Sequence, residues 1–210
     1  MLSLLVAHWS EALSDPRASA RRILRAQPTP GEAVAMAVAG FALGYLALRL
    51  AEIGLGRTVT EALEPLSEPT AAASSAPAAA QVSAMGLLVT GLLLALAQFV
   101  IVAVLGWRLG ALAGGSARFE QMLGVVGWHA LATAPLDVAA KTVLIMSSPG
   151  LAAVGLIVVA AAGFYVIYLL AAFVAEAHSF ESSGQVLIAM IGVMIMFMLL
   201  AAIFSGAGPG

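Results

Sequence analysis

Five stretches of the chain stay predominantly apolar for about the 20 residues that a helix needs to cross a hydrocarbon core roughly 30 Å thick. They are residues 32–51, 82–107, 121–146, 151–175 and 185–204. None alternates apolar with polar positions as a membrane barrel strand would, so all five read as helices. The predicted fold class is an all-α, polytopic transmembrane helical bundle of five spans over residues 31–210, preceded by a short amphipathic segment over residues 1–30. Arg49 and Glu52 cut the first span short, and an Arg near a helix end reaches the interface through its long stem.

Ahead of the spans, Leu2, Leu5, Val6, Trp9 and Leu13 recur on one helical face. Asp15 followed by Pro16 has the form of an N-cap with Pro at the first helical position, which predicts a second short helix through Arg25. No positively charged stretch precedes Met1 to Val6, so the first 27 residues do not read as a cleavable signal. An apolar face with Trp9 beside Arg17, Arg21, Arg22 and Arg25 suits the anionic headgroup region of an inner leaflet, and membrane lipids are the expected contact. The same face could instead pack on the ends of the spans.

The connections differ in kind. Residues 53–81 are rich in Ala, Ser, Pro and Glu, including Glu61, Glu64, Pro65, Glu68, Pro69 and Pro77, which predicts a mobile external loop. Ser147, Ser148, Pro149 and Gly150 leave room only for an antiparallel hairpin. Ala177 to Ser183 join the last two spans, and six small or Pro residues follow Phe204.

Composition sharpens this reading. The 210 residues are 62% hydrophobic and 10% charged, with no Cys, and the mean hydropathy is +1.04. Disulfides, thiolate metal sites and cysteine nucleophiles are therefore excluded. A net charge of -2 gives no basic field for nucleic acid. Arg17, Arg21, Arg22 and Arg25, with Arg108 and Arg118 between spans two and three, fall on one side of a five-span chain. Arg49, Arg57 and Lys141 on the other side count weakly, so the amino terminus is expected in the cytoplasm and the carboxyl terminus outside.

Within this apolar background the third span carries His129, Thr133, Asp137 and Lys141 at four-residue intervals, with Pro135 as a predicted kink. Residues four apart drift by about 40° around a helix, so these form one slowly turning polar stripe. Asp137 and Lys141 are spaced for an intrahelical ion pair. A proton or ion relay is one reading; an interhelical polar clamp fits better, because two charges that neutralise each other near one interface make no path across a membrane. Gln98 in span two is a candidate partner. Glu176, His178 and Glu181 cluster after span four, where a metal or pH-sensing role is conceivable but solvated turn residues are expected. Gly40 and Gly44, and Gly106, Gly110 and Gly114, have the spacing of close helix packing. Zinc, nucleophile-elbow, phosphate-loop and paired-aspartate signatures are missing, so neither catalysis nor a cofactor or metal is expected.

The segment Gly114-Gly115-Ser116-Ala117-Arg118-Phe119-Glu120-Gln121, then Val125-Val126-Gly127-Trp128-His129 and Ala134-Pro135, resembles the Yip family of five-span membrane proteins. Asp15, Pro16 and Arg17 leading into Arg21 and Arg22 resemble the start of its bacterial members, in agreement with a cytoplasmic amino terminus in an inner membrane. Where many members have Tyr and Leu before the Pro, this chain has Trp128, His129 and Ala134. The resemblance implies a non-enzymatic integral membrane protein that organises membrane or binds protein partners. An accessory subunit of a larger membrane complex and an ion-coupled transporter are the alternatives, the latter weakened because five spans do not divide into equal repeats.

Overall fold

The computed structural model describes residues 2–63, 84–148 and 151–206, which form eight helices and, among the described residues, no strand. They are α1 (Leu2–Ser14), α2 (Pro16–Ala26), α3 (Pro30–Leu55), α4 (Val59–Leu63), α5 (Ala84–Leu112), α6 (Phe119–Met146), α7 (Ala152–Ala177) and α8 (Ser183–Gly206). Five of them, α3 and α5 to α8, are long and apolar enough to cross a membrane. α1 and α2 form an arm against one end of the bundle, here the arm end.

Local chemistry starts and stops these helices. The Asp15 side chain accepts from the Ala18 N–H at 3.0 Å and Pro16 opens α2, as its sequence signature predicts. Thr29 and Glu32 close a reciprocal capping box at the start of α3, with Pro30 at its first position. α5 ends in a Schellman arrangement: Gly115 N–H donates to the Gly110 carbonyl and Gly114 N–H to that of Ala111. Gly114 sits at φ +86°, a conformation that favours glycine.

The spans sort by polarity in an instructive order. α6 is the least apolar, with mean hydropathy 1.2, yet 61% of its spanning window is buried. α8 is the most apolar, at 3.0, and none of its window is buried. Polar positions are thus mostly turned into protein, while the outermost helix presents only what lipid accepts. α6 is central and packs against α2, α3, α5 and α7. Its closest approach is to α3, where a Cβ on Gly40 would stand 2.6 Å from the Ala130 carbonyl oxygen, and one on Gly127 would overlap the Ala33 carbonyl. Backbones meet this closely only where both side chains are absent or small. The glycine spacing in α3 and α5 therefore serves packing within the chain.

At the opposite, far end the structure corrects the loop expected over residues 53–81. α3 continues to Leu55, and α4 is ordered on α6 with Ala62 buried. The cause is twofold. Thr58 and Glu61 make a second capping box, Thr58 N–H to Glu61 Oε2 at 2.7 Å and Glu61 N–H to Thr58 Oγ1 at 3.2 Å. Arg57 donates to the carbonyls of Ile145 and Ser147 at 3.2 and 2.8 Å, satisfying the end of α6. Residues 64–81 of that predicted loop lie outside the described residues, as do Pro149 and Gly150 of the α6–α7 connection and the last four residues.

If the glycine contacts set the α3–α6 distance, Gly40→Ala costs roughly 1–3 kcal/mol, the usual range for overpacking a close contact. Gly163→Ala and Gly192→Ala, whose Cβ would meet nothing within 4 Å, should leave stability unchanged or slightly raised. Thermal unfolding of the full chain in mild detergent reads the difference, and equal midpoints for all three variants would refute the assignment.

Candidate functional site

The arm end gathers most of the charged chemistry of the chain. Pro16, Ser19 and Ala20 of α2 are buried against α6 and α7. Ser19 Oγ accepts the indole N–H of Trp128 at 2.8 Å in this buried contact, and the Tyr165 hydroxyl donates to the Leu13 carbonyl. Opposite, Arg17 reaches the end of α7: its Nε donates to Glu176 Oε2 at 3.0 Å, and its terminal nitrogens donate to the carbonyls of Phe180 and Glu181. Arg21 shares the same carboxylate oxygen at 3.4 Å. A carboxylate in the last turn of a helix opposes the helix dipole, and the two guanidiniums offset that.

The turn that Arg17 grips is itself unusual. Phe180 N–H donates to the Ala175 carbonyl and Ser179 N–H to that of Glu176, a Schellman cap whose left-handed residue is Ser179 at φ 60°, where glycine is the common choice. Contacts on both sides hold it there. His178, the cap residue, is only 2% exposed. Its Nε2 donates to the Gly106 carbonyl at 3.0 Å, its Nδ1 accepts the Ala117 N–H at 3.4 Å, and its ring stacks on Phe180 with 5.4 Å between centroids. Gly110 and Gly115 form the walls of this seat, and a Cβ on either would overlap the imidazole. Glu176 and His178, expected as solvated turn residues, are instead the joint between α5, α7 and the arm. The reason is tertiary: each lies beside a partner distant in sequence. Glycines at 106, 110 and 115, read together with a later His, were the available signal.

The stripe of the third span divides in two. His129 Nε2 donates to the Val166 carbonyl of α7 at 3.0 Å and its ring meets Phe173 edge-on at 6.0 Å, while the Thr133 hydroxyl bonds back to the His129 carbonyl. These two face protein. Asp137 and Lys141 pair at 2.7 Å along their own helix, with side chains 51% and 35% exposed. Pro135 between them and Thr133 is exposed, and Gln98 on α5 is exposed and bonded to none of the stripe. The stripe contributes to neither of the two clefts at the arm end, and the described residues contain no group of three His, Asp or Glu placed to hold a metal.

On the outer face of the arm, Arg22 is held by Glu11 at 2.6 Å and touches His8, while Arg25 is exposed with no ion pair among the described residues. Trp9 packs at the edge of the core and its indole nitrogen is buried without a partner. The other apolar positions read from sequence for that face, Leu2, Leu5 and Val6, have side chains outside the description; Leu13 is partly buried.

A family model described as Yip1 domain matches residues 10–203. No curated protein and no solved structure matches the chain.

Two outcomes test this geometry. The Asp137–Lys141 pair neutralises itself on an exposed helix face, so Asp137→Asn strands Lys141 and lowers stability on the order of 1–3 kcal/mol, whereas Asp137→Leu with Lys141→Leu is better tolerated. A double variant less stable than the single one in detergent would show that the pair does more than neutralise itself.

Burial holds the His178 imidazole below its ordinary value of 6.5, against the opposing effect of the Gly106 carbonyl. The unfolded chain then takes up a proton more readily than the folded one, so this contribution is present above pH 6.5 and is lost as pH falls below it. A second proton on Nδ1 would also set two donors, Nδ1–H and the Ala117 N–H, against each other. The thermal midpoint should drop between about pH 7.5 and about 5.5, and the drop should be smaller in His178→Gln, which keeps a donor and an acceptor but does not titrate. All other side chains are the same in the two proteins, so an unchanged slope would remove His178 as its source.

Proposed function

The chain belongs to the Yip1 domain family, and on that premise we propose that it is a non-enzymatic protein that organises membrane or binds protein partners through its arm end. In this reading it resides in a bacterial inner membrane with the arm end in the cytoplasm, where anionic lipid headgroups meet the exposed Arg21, Arg22 and Arg25. One observation supports it above the others: α2 buries its small face on the spans and turns Arg21, Arg22 and Arg25 outward. Basic residues close to an anionic surface contribute about 1 kcal/mol each and are screened by salt. Arg17 enters this reading as the residue that fixes the arm, since each of its three nitrogens donates to the end of α7, to Glu176 and two carbonyls.

A second reading draws on α8. Every position of its described face is exposed or half-exposed and it touches only α7 to any extent, as a helix joining a larger membrane complex would. The transporter reading has less support, because Asp137 and Lys141 point away from the bundle.

The experiment has two parts. A reporter joined after Gly210 should be active only outside the cytoplasm; cytoplasmic activity would reverse the orientation or make the number of spans even. Photo-crosslinking side chains at Arg25 on the arm and at Ile188 on α8 should then give discrete protein adducts from the arm. Adducts from α8 alone would favour the accessory-subunit reading.

A further inference from the structure

The arm carries a cleft of about 280 Å³ between its two helices, lined by Glu11, Ala18, Arg21, Arg22 and Arg25. The geometry points to a seat in this cleft for a single phosphate ester group, the chemistry shared by a phospholipid headgroup and a small soluble phosphate ester. The inference rests on the lipid-facing reading of the arm and deepens it, from a diffuse basic surface to one saturable site.

Three features carry it. Positions 18, 21, 22 and 25 recur at helical spacing, so three guanidiniums share one face of α2, with Ala18 leaving room between them and α1. Two of the three are fixed before any ligand arrives. Glu11 and the His8 ring hold Arg22 from α1, and Glu176 holds Arg21 from α7. Each of these contacts uses one or two of the five N–H donors of a guanidinium, so donors remain for a second acceptor. Arg25 is the third guanidinium of the lining and has no ion pair among the described residues. With Glu11 as the one acid in the lining, three cations against one anion leave the cleft at net +2. Planar forks suit phosphate oxygens better than a point charge would. The volume lies just below the roughly 300 Å³ at which drug-sized ligands begin, so the cleft takes a headgroup and not a whole molecule.

The test uses the full chain in neutral detergent and native mass spectrometry with added phosphatidylglycerol, with phosphatidylcholine as the comparison lipid. One phosphatidylglycerol per chain should bind in a saturable manner and with preference over phosphatidylcholine. Arg21→Gln with Arg25→Gln should weaken that binding at least about tenfold, two basic contacts being removed. Arg17 still holds Glu176 in this variant, and Arg25→Gln alone should show part of the loss without touching any ion pair. Arg108→Gln with Arg118→Gln, equally basic positions elsewhere on this end, should leave the saturable binding intact. Glycerol phosphate added in competition separates the sources: displacement at matched concentration assigns the seat to a soluble ester, and its failure to displace assigns it to lipid. Equal weakening by both double variants would overturn the seat while leaving the diffuse attraction of the arm standing. Binding without preference for the anionic lipid, or unaltered in the Arg21 and Arg25 variants, would overturn both.

Discussion

The close approach of α3 to α6 is the contact on which the rest of the structure depends. In hydrocarbon no hydrophobic force draws helices together, so association relies on dispersion, interhelical hydrogen bonds and shape. Gly40 against the Ala130 backbone and Gly127 against that of Ala33 let the two helices meet backbone to backbone at two points. α6 thereby becomes the centre, and its polar side chains acquire neighbours. Trp128 reaches Ser19 of the arm and His129 reaches α7, one and two residues beyond the Gly127 contact. Widening that gap by a methyl group would move both donors away from their acceptors.

A second set of contacts turns the bundle's arm end into one unit. His178 joins the end of α7 to that of α5, and Arg17 joins the same turn to the arm. Neither contact is strong alone, since a hydrogen bond to a charged group contributes about 1.5–3 kcal/mol and one between neutral groups about 1. Their position matters more than their strength. Ser179 holds a left-handed backbone that glycine would occupy more cheaply, and it persists because His178 and Arg17 constrain the residues on either side.

Much of the architecture was legible in the sequence because lipid simplifies the problem. Span length and apolarity alone identify five helices, and each observed span agrees with its expected bounds to within about five residues, the largest differences being the later ends of α3 and α5. Asp15-Pro16 announced α2 by cap chemistry. What escaped was information carried by pairs distant in the chain: Arg17 with Glu176, Ser19 with Trp128, Gly110 and Gly115 with His178. No periodicity within one element contains such pairs. α4 is a different omission, since Thr58 and Glu61 have the capping-box spacing but sit in a segment whose Ala, Ser and Pro content outweighed it.

The distribution of polarity along α6 bears on what kind of device this protein is. A relay across a membrane needs titratable groups that continue from one face to the other around a shared cavity. Here His129 and Thr133 are sealed against α7, and four residues later the stripe has rotated outward to an ion pair that satisfies itself. Asp137 lies about 13 Å from the Met146 end of α6 at 1.5 Å per residue. Its pairing with Lys141 carries the charge toward that end and not toward His129. Among the described residues, Arg25 and the open donors of Arg21 and Arg22 lie at the arm end. The polar groups of the third span are thus satisfied inside the protein, His129 by the Val166 carbonyl of α7, Thr133 by its own helix and Asp137 by Lys141.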